Sequence, residues 1–359
     1  MKRILHVSNF TLLKLKGCAT NSMQTKISNG LIRNGHAVFQ YSDRDMCRIF
    51  SLTRHMNKLG RWRTNKHFLN YALALKPDAL IIGHADIIET QTLLELKSRL
   101  PDLRILEWNF DGIGAGSNPY FEAECSFNIN KLLKKEPAVD ALLVTTAEKK
   151  YFKPFLEKGK KVGFLPNMVD SSLEYARNFE KTNLPYDFIF PCRPKRPRHF
   201  CGKPVQIEEI VNEINQIPNL KTIFPGFNSP LLEASSYQDI LSQTAMGLNL
   251  SHTNDVYLYS SDRLAHFMGN GLLTFVDKRT GYTDLFNEKE MIFYQEPTEL
   301  YEKISFYQKH DNARQQIARA GYKKYENLFN EKRIGQYISD VLFDSLDSTN
   351  YPFPTLINE

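Results

Sequence analysis

Short runs of consecutive apolar residues alternate with longer amphipathic segments along most of the chain. In the first half, apolar runs of strand length occupy residues 4–10, 37–41, 79–83, 104–108 and 141–145. Helical periodicity occupies the intervening segments, near residues 21–33, 67–75, 89–100 and 121–134. Continuous apolar strands separated by amphipathic helices are typical of βαβ units, in which helices cover both faces of a parallel sheet.

The second half repeats this alternation. Its strand-like runs occupy residues 188–191, 222–225, 247–250, 272–276 and 291–294. Helical patterns occupy residues 205–214, 237–243, 261–268 and 298–307, and residues 312–346 are helical throughout. The pattern therefore predicts two successive α/β units in one chain.

A polar, weakly patterned stretch separates the two units. It covers residues 171–185 and follows a strand-like run at 162–170, so the boundary is expected there. The chain is thereby divided into an N-terminal domain (1–170), a C-terminal domain (171–346) and a tail (347–359). Because open α/β sheets bind ligands at the carboxyl ends of their strands, a ligand cleft is expected between the domains.

Composition fits this architecture. The 359 residues are 42% hydrophobic and 24% charged, without the bias of a disordered chain or a repeat array. No apolar run approaches the roughly 20 residues that span a bilayer, and the start of the chain is typical of a strand and not of a signal peptide. Five scattered cysteines without a C-x-x-C pair argue against a disulfide framework or a zinc site. A cytoplasmic location is therefore expected.

The net charge of +6 is unevenly distributed. Residues 46–77 contain no acidic residue, and their cations are Arg48, Arg54, Lys58, Arg61, Arg63, Lys66 and Lys76. A second acid-free cluster consists of Arg193, Lys195, Arg196, Arg198, His199 and Lys203. Such clusters indicate anionic partners, but neither lies in a nucleic-acid-binding motif, so nucleic acid is disfavoured. The first cluster is either a solvated helix surface or a peripheral contact with an anionic membrane or a phosphorylated glycolipid.

The most informative segment is residues 259–275, YSSDRLAHFMGNGLLTF. A helix that begins near Ser and Arg, followed by a Gly-containing turn and a strand, resembles the donor-binding segment of GT-B glycosyltransferases. The likeness continues through residues 282–286, 291–294, 299–304 and 314–321, the last of which resembles the late helix of the group-1 C-terminal domain. The chain is most similar to the spore-maturation glycosyltransferase-like subgroup, over roughly residues 185–346.

The resemblance implies a GT-B fold: an α/β protein whose two Rossmann-like domains face each other across a cleft, with C-terminal helices returning toward the N-terminal domain. It implies an enzyme that moves a sugar from a nucleotide-sugar donor to a saccharide or glycolipid acceptor, in surface polysaccharide or lipopolysaccharide synthesis. No cofactor or metal ion is implied. The alternatives are a sugar-nucleotide epimerase or a phosphorylase on the same scaffold, or a non-catalytic nucleotide-sugar-binding protein.

Donor contacts are expected where a helix N-terminus and cations can meet a diphosphate. The candidate residues are Arg193, Lys195, Tyr259, Ser260, Ser261, Arg263 and His266. Alternatively, Ser261 is a helix cap and Arg263 a solvated side chain.

The resemblance has one departure. Retaining relatives carry glutamates at the positions of His266 and Thr274, so the stereochemistry of transfer does not follow from it. Asp284 or Glu288 is a weaker candidate for a ribose contact.

On the acceptor side, an inverting enzyme needs a general base in a loop of the N-terminal domain. Asp111, in the glycine-rich loop 107–116, is the first candidate and His84 the second; in the alternative reading, Asp111 shapes a turn and His84 ends a strand. The resemblance places the loop with Gly17, Thr20 and Asn21 near the donor diphosphate or the acceptor. The chain has neither a G-x-G-x-x-G fingerprint nor a P-loop, which disfavours a dehydrogenase or a kinase.

Overall fold

A computed structural model describes residues 1–13, 22–53, 55–194, 196–227, 229–232 and 235–357. The N-terminal strands are β1 (Arg3–Ser8), β2 (Ala37–Ser42), β3 (Ala79–Gly83), β4 (Arg104–Asn109), β5 (Ala141–Val144) and β6 (Lys161–Phe164). They form a six-stranded parallel sheet in the order β2-β1-β3-β4-β5-β6. All five apolar runs predicted in this half are strands.

Helices cover both faces of this sheet. They are α1 (Met23–Arg33), α2 (Asp43–Phe50), α3 (Lys58–Leu75), α4 (Thr90–Arg99), α5 (Glu122–Lys135) and α6 (Lys153–Leu156). Side chains of a strand alternate between the faces, so Leu106 packs in the cluster of Leu31 on α1 and Ile105 in that of Phe68 on α3. Because both faces are covered, every residue of β3 is buried.

The C-terminal half contains a second parallel sheet. Its elements are β7 (Tyr186–Ile189), β8 (Arg198–Phe200), β9 (Lys203–Val205), α7 (Ile207–Asn215), β10 (Thr222–Ile223), α8 (Ser235–Leu241), β11 (Thr244–Asn249), α9 (Arg263–Gly269), β12 (Leu273–Asp277), β13 (Ile292–Tyr294), α10 (Pro297–Lys309), α11 (Asp311–Phe329) and α12 (Glu331–Leu342). Five strands are parallel in the order β10-β7-β11-β12-β13, and β8 and β9 form a separate antiparallel hairpin.

Several elements differ from the expectation. The helix expected at 67–75 begins at Lys58, where Asn57 accepts a hydrogen bond from the Gly60 amide at 2.8 Å. The early turns of α3 point Leu59 and Trp62 into solvent, so apolar periodicity does not mark them. Helix α2 and the β8–β9 hairpin were not predicted, because their short segments carry no run of apolar residues.

The last helices return to the N-terminal domain, as the resemblance implied. Helix α12 crosses α1 at two glycines: a Cβ on Gly30 would lie 2.0 Å from the Glu331 carbonyl oxygen, and one on Gly335 would lie 2.5 Å from the Gly30 carbonyl carbon. The chain end then pairs with β6, since the Phe164 amide donates to the Thr355 carbonyl at 3.0 Å. The C-terminal segment therefore covers the edge of the N-terminal sheet.

One hydrophobic cluster joins the two domains. It contains Leu31 of α1 and Tyr337 of α12 together with Met268 of α9 and Tyr325 of α11. The Asn167 side chain, in the connection between the domains, donates to the Ser260 backbone carbonyl at 3.0 Å. The shared cluster and this contact fix how the domains meet around the cleft. No helix in the described part of the chain has the length and apolar content needed to cross a membrane.

Candidate active site

A cavity of 370 Å³ lies beside the carboxyl end of β7. Segments after β7 and β10, the first residue of β8, and helices α8 and α9 enclose it. Its polar side chains are Arg193, Arg198, Tyr237, Asp262, Arg263 and His266. The cavity thus occupies the edge at which open α/β sheets bind ligands.

The described lining residues of the cavity carry an excess of positive charge, with three arginines against one carboxylate, that of Asp262. Arg198 is 8% exposed, and its Nε has no hydrogen-bond partner in the part of the chain that the structure describes. Glu124, the carboxylate whose charge acts on Arg198, pairs with Arg196 instead. Arg263 donates from Nη2 to the Leu250 carbonyl at 2.7 Å, while its Nε is also unpartnered. Buried guanidinium nitrogens without hydrogen-bond partners favour the entry of an anion.

The positive charges of these arginines, together with burial, lower the pKa values of Arg198 and His252. Burial, followed by the charge of Arg263, lowers the pKa of Arg198 to about 10. Burial, followed by the charges of Arg198 and Arg263, lowers the pKa of His252 to about 3. Bound anions would offset both effects, because a negative charge favours the protonated form of each group.

The expected donor residues divide into two groups. Arg193, Arg263 and His266 line the cavity together. Tyr259 and Ser260 are buried outside its lining, and the Ser260 hydroxyl lies 2.9 Å from the Tyr282 hydroxyl.

Two further donor candidates, Ser261 and Lys195, have different outcomes. Ser261 uses its amide and its hydroxyl on Ser251 and Asn249 at the end of β11. Helix α9 begins after it, at Arg263, and has seven residues, so the expected helix start is two residues too early. Lys195 lies outside the described residues.

Arg198 is the contact that the sequence prediction missed. It belonged to the second basic cluster, but nothing in the order of residues distinguishes the buried cation from its exposed neighbours. The β8–β9 hairpin determines which cation is buried, because Arg198 lies in the buried strand β8 while Arg193 remains exposed.

Other expected contacts lie elsewhere. Thr274 is buried in β12 and donates to the Leu272 carbonyl at 3.2 Å. Asp284 accepts a hydrogen bond from the Tyr257 hydroxyl at 2.8 Å, and Glu288 lies 3.5 Å from the Lys303 ammonium. None of the three is among the residues that line the cavity. Gly17, Thr20 and Asn21 lie outside the described residues.

On the N-terminal side, the two candidate bases are adjacent. His84 follows β3 with φ +50°, and its Nδ1 lies 3.5 Å from Oδ2 of Asp111 in the loop after β4. Burial lowers the pKa of His84, and the Asp111 carboxylate acts in the opposite direction. The side chain of Asp111 is half exposed, so it can reach a bound hydroxyl. The sequence treated these residues as alternatives, whereas the structure makes them a pair.

A buried tryptophan holds this pair in place. The indole of Trp108 covers Gly83, where a Cβ would lie 1.9 Å from the ring, and contacts the His84 ring edge-on at 5.1 Å. Its Nε1 donates to Nε2 of His6 at 3.2 Å. An indole only donates, so His6 carries its proton on Nδ1, which lies 2.8 Å from the Ser28 hydroxyl. Gly83 is therefore required for the close approach of the indole.

Strand β4, which leads into the loop of Asp111, carries a buried carboxyl group. Glu107 is 4% exposed, Oε2 has no hydrogen-bond partner, and Oε1 lies 3.9 Å from the Lys135 ammonium. Burial raises the pKa of Glu107 to about 7, although Lys135 and Lys131 act against this. Glu107 is the first residue of the segment 107–116 that the sequence singled out, but no role was predicted for it.

Replacing Glu107 with glutamine is expected to remove a pH-dependent loss of stability. Its pKa of about 7 in the folded protein exceeds the ordinary 4.5, so ionisation destabilises the fold as pH rises between these values. The difference amounts to on the order of 3 kcal/mol. Urea unfolding at about pH 5 and about pH 8 should show wild type losing stability relative to Glu107→Gln. If the free energies of unfolding of wild type and Glu107→Gln differ equally at both pH values, the raised pKa is contradicted. Glu122→Gln, at an exposed carboxylate, is the control.

Comparison with known proteins agrees with the fold. Residues 224–339 match the model of a family described as glycosyl transferase-like. The structure of Anabaena Alr3699/HepE in complex with UDP and glucose is similar over 96% of this chain and 100% of that one, with a TM-score of 0.56 and 13% identity. The S. aureus MnaA–UDP structure is similar over 98% of this chain and 99% of that one, with a TM-score of 0.51 and 12% identity. The structure of a glycosyltransferase from Rickettsia africae is similar over 96% of this chain and 99% of that one, with a TM-score of 0.54 and 10% identity.

These likenesses define the class of protein: two parallel-sheet α/β domains in the GT-B arrangement. The glycosyl transferase-like match falls within the C-terminal domain, the half that carries the arginine-lined cavity. The resemblance predicted from residues 259–275 is confirmed at this level. No curated protein matches the chain significantly.

Proposed function

We propose that the protein is a glycosyltransferase that moves a sugar from a nucleotide-sugar donor to a saccharide or glycolipid acceptor. The observation that carries this proposal is the cavity in which Arg193, Arg198 and Arg263 converge, where no carboxylate among the described residues forms an ion pair with Arg198. A donor diphosphate supplies the missing negative charges. The UDP and UDP-glucose complexes of the similar HepE and MnaA structures support this choice of ligand.

The chemistry divides between the two domains. The arginines hold the diphosphate and stabilise the charge that develops as the sugar–phosphate bond breaks. His84 and Asp111 act on the acceptor, with Asp111 accepting the hydroxyl proton and His84 orienting its carboxylate. In this proposal the guanidinium groups replace a divalent metal ion. In the described residues, no three His, Cys, Asp or Glu side chains are grouped to hold one.

Isothermal titration with UDP-, GDP-, ADP- and CMP-linked sugars tests the proposal. We expect one nucleotide class to bind, and to bind equally well with EDTA present. Hydrolysis or transfer of the sugar would distinguish an enzyme from a binding protein, and conversion to an isomeric sugar nucleotide would indicate an epimerase. Absence of binding at millimolar concentration would refute the proposal, and a strict metal requirement would refute the role of the arginines.

We further propose that the acceptor is a glycolipid of surface polysaccharide or lipopolysaccharide synthesis, reached at the cytoplasmic face of an anionic membrane. Helices α2 and α3 and the segment between them present an apolar–basic surface, defined by Ile49, Leu52, Met56, Lys58, Leu59, Trp62, Arg63 and Lys66. Leu52 is 82% exposed and Trp62 is 60% exposed. The Lys66 ammonium lies over the Trp62 ring at 5.6 Å. Large apolar side chains among cations fit the interface of an anionic bilayer.

Helix α3 also contacts the segment that follows His84. Arg61 of α3 donates to the Asp86 backbone carbonyl at 2.8 Å, two residues beyond His84. Asp86 in turn pairs with Arg44 and Lys131. Arg61 is thus a structural contact, while Arg63 and the lysines on either side of it remain exposed. A lipid-linked hydroxyl held at this surface would lie near the candidate base.

Loss of the exposed groups is expected to abolish membrane binding. Wild type should float with vesicles that contain phosphatidylglycerol, and it should stay in the bottom fraction when the vesicles are neutral. Trp62→Ala with Leu52→Ala removes the apolar contact, and Arg63→Glu with Lys66→Glu reverses the charge; each pair should lower the bound fraction at least tenfold. Phe306→Ala with Lys309→Glu, on exposed α10 of the other domain, is the matched control. Equal flotation of all variants would refute the surface.

A further inference from the structure

The glycine-rich loop after β4 crosses the cleft and binds the C-terminal domain. Gly116 has φ +57°, and a Cβ there would lie 2.0 Å from Oδ1 of Asp255. The next residue, Ser117, donates from its amide and its hydroxyl to Oδ2 of Asp255, at 2.9 and 2.5 Å. The approach favours glycine, because a positive φ strains other residues and a Cβ would displace the Asp255 carboxylate from this contact.

A histidine closes the contact into a directed chain of hydrogen bonds. The backbone amide of Asn254 donates to Nδ1 of His199 at 3.3 Å. Because Nδ1 accepts this hydrogen bond, the histidine carries its proton on Nε2. Nε2 then donates to the Ser117 hydroxyl at 2.9 Å, and that hydroxyl is left to donate to Asp255. Although burial alone would raise the pKa of Asp255, hydrogen bonds from Ser117 and Thr253 lower it, so the acceptor is a carboxylate.

Two more contacts support the same crossing. The Asn118 side chain donates to the His252 carbonyl at 2.5 Å, and the ring of Phe121 stacks on that of His252 at 4.5 Å between centroids. On the N-terminal side, Asn128 donates to the Gly112 carbonyl at 2.8 Å, so α5 supports the start of the loop. The loop is therefore fixed at both ends.

The crossing connects the two halves of the proposed site. Asp111 begins the loop, and His199 follows Arg198 in β8. A change in the position of the loop relative to β8 alters the distance between the candidate base and the cavity that holds the donor. Displacements of about 1 Å in such an arrangement cost up to about a hundredfold in rate.

We propose that Ser117, His199 and Asp255 are positioning residues, an interdomain clamp that holds Asp111 toward the donor cavity. The clamp rests on the proposed transferase function for its effect on rate, but its effect on structure is independent of that function. It acts on the orientation of the two domains and not on donor affinity, because none of the three residues lines the cavity.

Hydrogen exchange and kinetics of Ser117→Ala and Asp255→Asn test the clamp. Amide exchange in residues 111–121 should rise at least tenfold in both variants; kcat should fall roughly tenfold to a hundredfold while the Kd for UDP changes less than about threefold. Ser117→Thr keeps the hydroxyl at an exposed position and should restore both values. Ser98→Ala, an exposed hydroxyl deletion on α4, is the control.

Each outcome separates the possibilities. Unchanged exchange in Ser117→Ala and Asp255→Asn would overturn the clamp. Increased exchange with unchanged kcat would leave only a structural contact and overturn the positioning role. If wild type neither binds nucleotide nor transfers sugar, the proposed function fails, and the exchange data alone decide whether the clamp exists.

Discussion

Replacing Arg198 with glutamine is expected to raise the Kd for UDP roughly 30- to 5000-fold, since removing a buried charged partner costs about 2–5 kcal/mol of binding free energy. Arg198 is 8% exposed, lines the cavity, and has an Nε without a partner. Its guanidinium is therefore held ready for an anion, and glutamine cannot replace its charge. Isothermal titration with UDP measures the effect.

The stability of this variant separates lost binding from misfolding. Among the described residues no carboxylate pairs with Arg198, so its desolvated charge destabilises the empty protein, and Arg198→Gln should melt at a higher temperature than wild type. Arg99→Gln removes an exposed guanidinium from α4 and should change neither property. Unchanged UDP affinity in Arg198→Gln would refute the assignment of the cavity to the diphosphate.

Replacing Asp111 with asparagine is expected to lower kcat by about a hundredfold to ten-thousandfold, the usual contribution of a general base. Asparagine preserves the shape of the side chain but accepts no proton. Asp111 lies 3.5 Å from His84 and outside the donor cavity, so the Kd for UDP should stay within about threefold of wild type. Initial rates at saturating donor measure kcat.

The control and the contrary result are equally specific. Glu122→Gln changes an exposed carboxylate at the start of α5, beyond the same loop, and should retain full activity. If Asp111→Asn keeps kcat within about threefold of wild type, Asp111 is not the base. A large loss in His84→Gln would then assign that role to His84, which Asp111 would only orient.

Much of the fold follows from local pattern. Parallel strands buried on both faces must be continuously apolar, and the ten strand-like runs of the two domains all contain or adjoin strands. Helix α3 shows the limit of this rule. Its early turns expose Leu59 and Trp62, so their periodicity gives no sign of an inward face.

The site was predictable in part for the same reason. Arg263 and His266 lie one turn apart on α9, so a single helix brings both to the cavity, and local periodicity suffices to group them. Tyr259 and Ser260 precede that helix, and their direction depends on contacts with distant residues such as Asn167 and Tyr282. Their burial outside the cavity lining could not be read from the segment alone.

The sequence by itself determined the two α/β units, the parallel sheets and the basic segment that supplies the cavity, because apolar periodicity and charge composition are local properties. Only the tertiary structure selected Arg198 among neighbouring cations, paired His84 with Asp111, and carried Ser117 across the cleft to Asp255. These three results depend on contacts between residues 27 to 138 positions apart or on a hairpin without an apolar signal. Burial and hydrogen bonding are decided by the surroundings in space, which the order of residues along the chain does not specify.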